Sequence, residues 1–328
     1  RSVQAQAAAK QQQSAVAAEP PVSEDTLTAT EWFEKGYQSK DVGERDEAIR
    51  CFTEAIQLYP EYTRAYSWRG TLYKQVGEAG KAEKDFRQAI GFEPTDADGF
   101  LGRGQAHDEL GDYVAAIQDY DETIRLRPKD SVAYNNRGVA HANRGDHTTA
   151  IQDYDEAIRL QPDYAMAYNN RGNAYDEQRN YEAAIQDYAK AITLQPEDAM
   201  VYYNRGNVYR KRGDYEAAIR DYDEAIRLQP DYATAYNNRG LVYAQQGDYK
   251  AAISNYDEAI RLQPDDAGTY LNRGNAYAQQ GDYKAAISNY DEAIRLQPDD
   301  AGTYLNRGNA YAQQGDYKAA ISNYDEAI

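Results

Sequence analysis

Cysteine is almost absent from this 328-residue chain. Cys51 stands alone, so no disulfide can form within it, and the composition suits a reducing compartment, with the cytoplasm the expected one. Large apolar side chains are few: five Phe, two Trp and two Met. Most of the 41% hydrophobic content is therefore Ala and Tyr, and a core can form only where small residues let elements approach closely. No apolar run comes near the roughly 18 residues of a spanning helix, so no membrane insertion is expected. Positive charge is in deficit, with 36 Lys and Arg against 54 Asp and Glu. The net charge of −18 argues against nucleic acid and against an anionic membrane surface as partners. The chain begins with Arg1 rather than Met, so it reads as a fragment or a processed product.

What the chain has in quantity is repetition. Glycines recur at Gly36, Gly70, Gly104, Gly138, Gly172, Gly206, Gly240, Gly274 and Gly308, and prolines at Pro60, Pro94, Pro128, Pro162, Pro196, Pro230, Pro264 and Pro298, both with a period of 34. With Ala29 as position 1, nine units follow: 29–62, 63–96, 97–130, 131–164, 165–198, 199–232, 233–266, 267–300 and a truncated 301–328. Residues 247–280 and 281–314 are identical, and 315–328 begins a third copy, which points to recent duplication or an assembly artefact. Residues 1–28 stand outside the register. They are rich in Gln and Ala and read as a flexible leader or linker.

Each unit has the grammar of two helices. A first run ends at a pair such as Gly213-Asp214, where Gly suits a helix C-terminus and Asp the next N-cap. A second run ends at a sequence such as Leu228-Gln229-Pro230, where proline cannot continue the helix. Tyr202, Gly206 and Tyr209 share one face of the first run, and Tyr215, Ala218, Ile219, Tyr222, Ala225 and Ile226 one face of the second. No stretch alternates as a half-buried strand does.

An aromatic residue at position 4, Gly at 8, Tyr at 11, Gly at 15, Tyr at 17, Ala at 20, an aromatic at 24, Ala at 27 and Pro at 32 resemble the tetratricopeptide repeat (TPR) family, in a tandem array of bacterial type. The resemblance covers residues 29–328. It implies an all-α solenoid, a right-handed superhelix of antiparallel helix pairs. Departures are local: Ser39 and Arg45 in unit one, Ala79 in unit two, Thr123 in unit three and Arg179 in unit five.

Signs of chemistry are weak. His107, His141 and His147 stand where other units place Tyr and read as packing residues, so no metal or other cofactor is expected. The Asp-Tyr-Asp-Glu runs, such as 119–122, recur in several units and read as a solvated acidic face, since an active site is rarely built many times over. No phosphate loop, nucleophile elbow or triad is present, so the chain is not expected to be an enzyme.

By resemblance, the first helix of each unit lines a concave groove. Positions 2, 5, 6, 9, 12 and 13 lie away from the core stripe; in unit five they are Met166, Asn169, Asn170, Asn173, Asp176 and Glu177. Position 6 is Asn136, Asn170, Asn204, Asn238, Asn272 and Asn306 in units four to nine, broken earlier by Glu34, Trp68 and Gly102; position 9 adds Asn173, Asn207, Asn275 and Asn309. Amides suit a peptide backbone of any sequence. The row is similar to the asparagine ladder of the O-linked N-acetylglucosamine transferases. A chaperone-type carboxylate clamp is not expected, because its lysines are missing. The basic Arg210-Lys211-Arg212, with Tyr203 and Asn204 nearby, is expected to select an acidic side chain. The function expected is a non-catalytic protein-interaction scaffold holding extended peptide segments of partner proteins. The alternative is the substrate-recruiting part of a larger glycosyltransferase- or kinase-like enzyme. The arginine at position 7 is expected to be structural, paired with an acid at position 25 such as Asp223, Asp257 or Asp291, with unit five lacking the pair because of Ala189. Ile321, Tyr324 and Ile328 are expected on an under-covered surface, so that the ninth unit frays or copies self-associate through it.

Overall fold

The structure, a computed structural model, describes residues 27–328. Among these residues there is no strand, and eighteen α-helices follow one another. They are α1 (Ala29–Asp41), α2 (Arg45–Leu58), α3 (Thr63–Gln75), α4 (Ala79–Ile90), α5 (Ala97–Glu109), α6 (Tyr113–Leu126), α7 (Ser131–Asn143), α8 (His147–Leu160), α9 (Ala165–Glu177), α10 (Tyr181–Leu194), α11 (Ala199–Arg212), α12 (Tyr215–Leu228), α13 (Ala233–Gln245), α14 (Tyr249–Leu262), α15 (Ala267–Gln279), α16 (Tyr283–Leu296), α17 (Ala301–Gln314) and α18 (Tyr317–Glu326). Odd-numbered helices are the first helices of their repeats and even-numbered ones the second. They fall into two compact units, one ending at Arg144 and one spanning Gly145–Ile328, so the division lies between the two helices of repeat four. Within each unit successive helices pack on one another, and first helices of neighbouring repeats also meet, as α3 meets α5 and α13 meets α15.

Helix ends follow local chemistry. Asp112, Asp146, Asp248, Asp282 and Asp316 each accept the backbone N–H three residues on, as Asn180 does. Asp214 does not, because Arg212 holds its carboxylate. The turn before each second helix needs a left-handed residue, and Gly213 supplies it at φ 88°. Arg179 must adopt the same conformation, at φ 59°, as the one non-glycine residue with positive φ among those described. Residues 1–26 of the expected leader lie outside the described residues. At the start of the described residues, Thr28 closes a capping box with Glu31, and Leu27 packs on the core of repeat one.

The core is shared between repeats rather than enclosed within one. Ala218 and Tyr222 of repeat six pack with Val242 of repeat seven, flanked by Tyr203, Tyr209, Tyr215 and Ile219. Tyr222 fits because position 8 carries no side chain: a Cβ on Gly206 would stand 2.9 Å from its ring. A closer approach explains why the asparagine row breaks in repeat three. A Cβ on Gly102 would stand 2.5 Å from the Arg64 backbone nitrogen, and Ser67 Oγ donates to the Gly102 carbonyl at 2.6 Å. There α5 meets α3 backbone to backbone, leaving no space for an amide.

Candidate functional site

The Asn-Arg-Gly phrase divides its work among its residues. The arginine is a rivet between repeats. Arg171 on α9 donates through Nε and Nη2 to Asp187 of its own repeat (2.7 and 2.6 Å) and through Nη1 to Asp155 of the preceding one (2.5 Å). Burial opposes charge on Arg171, but the hydrogen bonds to Asp187 and Asp155 outweigh it and hold the guanidinium above its ordinary range. Arg239, Arg273 and Arg307 reach back to Asp223, Asp257 and Asp291, while Asn255, Asn289 and Asn323 replace the carboxylate of their own repeat. The position-25 partners therefore belong to the preceding repeat. Ala189 deprives Arg205, not Arg171, and Arg205 holds Asp221 alone (2.8 Å). The Asp-Tyr-Asp-Glu runs are correspondingly not solvated throughout: Asp119, Asp153 and Asp221 are buried, Asp119 against Arg103 and Asp221 against Arg205, the tyrosines that follow them are buried too, and the second Asp and the Glu reach water.

The asparagines are tied as well. Asn204 Nδ2 donates to Asn169 Oδ1 (3.2 Å), Asn272 Nδ2 to Asn237 Oδ1 (3.1 Å) and Asn306 Nδ2 to Asn275 Oδ1 (3.4 Å). Asn238 Nδ2 donates to Asn207 Oδ1 (2.9 Å) and to Tyr203 Oη (3.0 Å), so Tyr203 is part of the seam, and its ring lies tilted against Tyr222 and Tyr232. Asn136 and Asn170 accept from Asn135 and Asn169 beside them (3.2 and 3.5 Å). Asn169, expected on the groove, is buried. At position 9, Asn173, Asn207, Asn275 and Asn309 accept from the hydroxyls of Tyr188, Tyr222, Tyr290 and Tyr324 (2.7, 2.7, 2.9 and 2.9 Å). Burial pushes Tyr290 up to about 12, and Tyr188 and Tyr222 also rise through burial, so these hydroxyls keep the proton they donate. Part of each amide is thus committed to its own array.

Two adjoining clefts open on this face. One, of about 280 Å³, is lined by Leu241, Ala244, Gln245, Tyr249, Tyr256, Asn272, Asn275, Ala276 and Gln279. The other, of about 650 Å³, is lined by Asn275, Ala278, Gln279, Tyr283, Tyr290, Asn306, Asn309, Ala310 and Gln313. They are the same site one repeat apart, and no lining residue of either is charged. The sequence reading found their amides and missed their tyrosine walls. The available signal was an Asn at position 9 followed fifteen residues later by a Tyr, a pair repeated in repeats five, six, eight and nine.

The expected basic spot is largely neutralised. Lys211 pairs with Asp176 (2.7 Å), and Arg212 pairs with Asp214 and with Glu182 (3.4 Å). Arg210 interacts with the Tyr222 hydroxyl, and its buried Nε finds no acceptor. Repeat six therefore does not offer three cations to a ligand, because acidic neighbours already hold two of them. In repeat three, His107 sits against Asp119, with Nε2 3.8 Å from Oδ2, and burial lifts the Asp108 carboxyl to about 6. Among the described residues no cluster of His, Cys, Asp and Glu could hold a metal ion, and no helix is long and apolar enough to cross a membrane.

The fold and face define a class: helix-pair repeats stacked so that each completes the core of its neighbour. Family models described as tetratricopeptide repeat match residues 40–97, 69–131, 101–165, 165–198 and 188–220, and one described as TPR repeat matches 206–247, 241–281 and 274–315. The chain belongs to the tetratricopeptide repeat family. Among solved structures, the APC/C hetero-tetramer Cut9–Hcn1 is 15% identical over 91% of this chain and 72% of that one, with a TM-score of 0.57. PilF of Pseudomonas aeruginosa is 22% identical over 60% and 90%, with a TM-score of 0.53. YrrB, described as a TPR protein with an unusual peptide-binding site, is 25% identical over 56% and 95%, with a TM-score of 0.48. No curated protein sequence matches significantly.

Proposed function

We propose that the chain is a non-catalytic protein-interaction scaffold whose first-helix face holds extended peptide segments of partner proteins. The observation that carries this reading is the pair of uncharged clefts, related by one repeat and lined by amides and tyrosine rings. Sites of this kind bind through apolar contact and a few placed polar groups. Their repetition suits a long, thin ligand rather than a compact metabolite. The ligand is a protein segment of neutral character, since no charged group lines either cleft.

The test uses two substitutions, Ala244→Trp and Ala278→Trp, which fill the clefts without removing a hydrogen bond. Partner proteins retained by the wild-type chain from a lysate are identified and crosslinked. The expected result is crosslinks to the first-helix face and loss of retention in the doubly filled variant, with its circular dichroism unchanged. Undiminished retention by that variant, or crosslinks confined to second helices, would overturn the reading.

A further inference from the structure

We infer that the two clefts read different side chains of one extended peptide: an apolar residue in the cleft at Leu241 and, about three positions away, an uncharged carboxamide residue, Gln or Asn, in the cleft at Asn275. This rests on the peptide-scaffold reading above and names its ligand. The two clefts have the same backbone but differ at position 9. In repeat seven that position is Leu241, which lies with Ala244, Tyr249 and Tyr256 as an apolar wall. In repeat eight it is Asn275.

The hydrogen-bond inventory around Asn275 sets what can enter. Its carbonyl already accepts from Tyr290 Oη (2.9 Å) and Asn306 Nδ2 (3.4 Å), which uses both lone pairs. The Asn309 carbonyl accepts from Tyr324 (2.9 Å). Asn275 therefore offers the cleft only N–H, while Asn309 offers N–H and one remaining lone pair. A ligand must therefore bring an acceptor to the floor. Acceptors remain at the rim, on the side chains of Gln279, Gln313 and Asn306. A carboxamide meets both demands: its oxygen takes the floor N–H groups and its NH₂ gives to the rim. An ammonium brings no acceptor and would leave the Asn275 N–H groups unpaired. A carboxylate would enter without a countercharge in a chain of net charge −18. Asn275 and Gln279 line both clefts, so a ligand passes directly from one to the other. Neighbouring helices pack about 10 Å apart, and an extended chain advances about 3.3 Å per residue, which gives the spacing of about three.

The test uses acetylated, amidated peptides: AALAAQAA and its reverse-order partner AAQAALAA, each with Gln replaced by Glu or Lys and with Leu replaced by Ala. Binding is measured by calorimetry, and its place by chemical-shift changes in asparagine side-chain amides. At least one order should bind, with each replacement costing about tenfold, the scale of a lost pocket contact or hydrogen bond. The decisive variant is Asn275→Leu, which copies Leu241 into the same surroundings. It should exchange the preference at that position, so that a peptide with Leu at both places outbinds the original. Equal binding of all peptides, or an unchanged preference in Asn275→Leu, overturns the inference while leaving the scaffold reading intact. Binding by no peptide also overturns it, and the scaffold reading then stands or falls on the cleft-filling test.

Discussion

At the scale of single residues, one position departs from the repeat without a compensating gain. Arg179 occupies the turn where the other repeats place glycine, and its φ of 59° puts a Cβ where L residues are disfavoured. Among the described residues its side chain has no hydrogen bond or ion pair to offset that cost. Arg179→Gly should therefore raise stability by about 1 kcal/mol, the ordinary left-handed penalty less the entropy glycine loses on folding. Urea unfolding of the full chain checks it: a lower midpoint in the variant would show that Arg179 does something the geometry does not reveal. The asparagines give the opposite lesson. Their recurrence was legible in the sequence and suggested a ligand surface. Sequence alone does not show that a carbonyl is already occupied, because the donor lies fifteen residues away on another helix, or thirty-one away in the next repeat.

At the scale of helices, the pattern of Gly-Asp and Gln-Pro boundaries was enough to place both helices of each repeat, because caps and proline act within a few residues. The direction of the arginine rivet was not legible. Positions 23 and 25 are both polar in most repeats and recur every 34 residues, so the text is equally consistent with an arginine reaching back or staying home. The structure answers that it does both, and this makes the seam testable. Arg171 covers a buried carboxylate, Asp187, whereas Arg239 covers a neutral Asn255 whose Nδ2 is satisfied by the Ala251 carbonyl (2.8 Å). Arg171→Leu should cost about 3 kcal/mol, because it strands a buried charge, and Arg239→Leu about 1 kcal/mol, because it strands only an amide oxygen. Adding Asp187→Asn to Arg171→Leu should recover most of the difference in denaturant unfolding. Equal costs for the two arginines would mean that the seam is held by packing rather than by charge.

A second comparison at this scale uses the duplicated sequence as its own control. Ile287 on α16 and Ile321 on α18 have identical neighbours in sequence, yet Ile287 is 8% exposed and Ile321 59%. Tyr317 is also exposed, while Tyr324, expected on the open face, is half-buried and bonded to Asn309. Among the described residues α17 packs on α16 on this side, and no described helix does the same for α18. Ile287→Ala should cost about 2–4 kcal/mol and Ile321→Ala less than about 0.5 kcal/mol, with faster hydrogen exchange in α18 than in α16. Similar costs at the two sites, in a protein shown to be monomeric, would contradict the exposed face.

At the scale of the whole molecule, charge is the property that separates holding the fold from holding a ligand. A net charge of −18 makes the chain repel itself, and the acidic residues that do so lie largely on exposed faces of second helices. Against this, the rivets include exposed carboxylates, Asp155, Asp223, Asp257 and Asp291, whose pairs salt would weaken. The two effects oppose each other, and magnitude decides between them. Exposed pairs contribute about 0–1 kcal/mol each, and the buried halves of the rivets are shielded from ions. The repulsion involves every unpaired acid at once, and it is screened as the Debye length falls from about 30 Å at 0.01 M salt to about 8 Å at 0.15 M. Adding sodium chloride across that range should therefore raise the melting temperature. Capture of a partner by the uncharged clefts should hardly change across the same range, because no charged residue lines them. A melting temperature that falls with salt would show the rivets outweighing the repulsion. A steep salt loss of binding with a stable fold would place the ligand on the acidic second helices instead of the amide face.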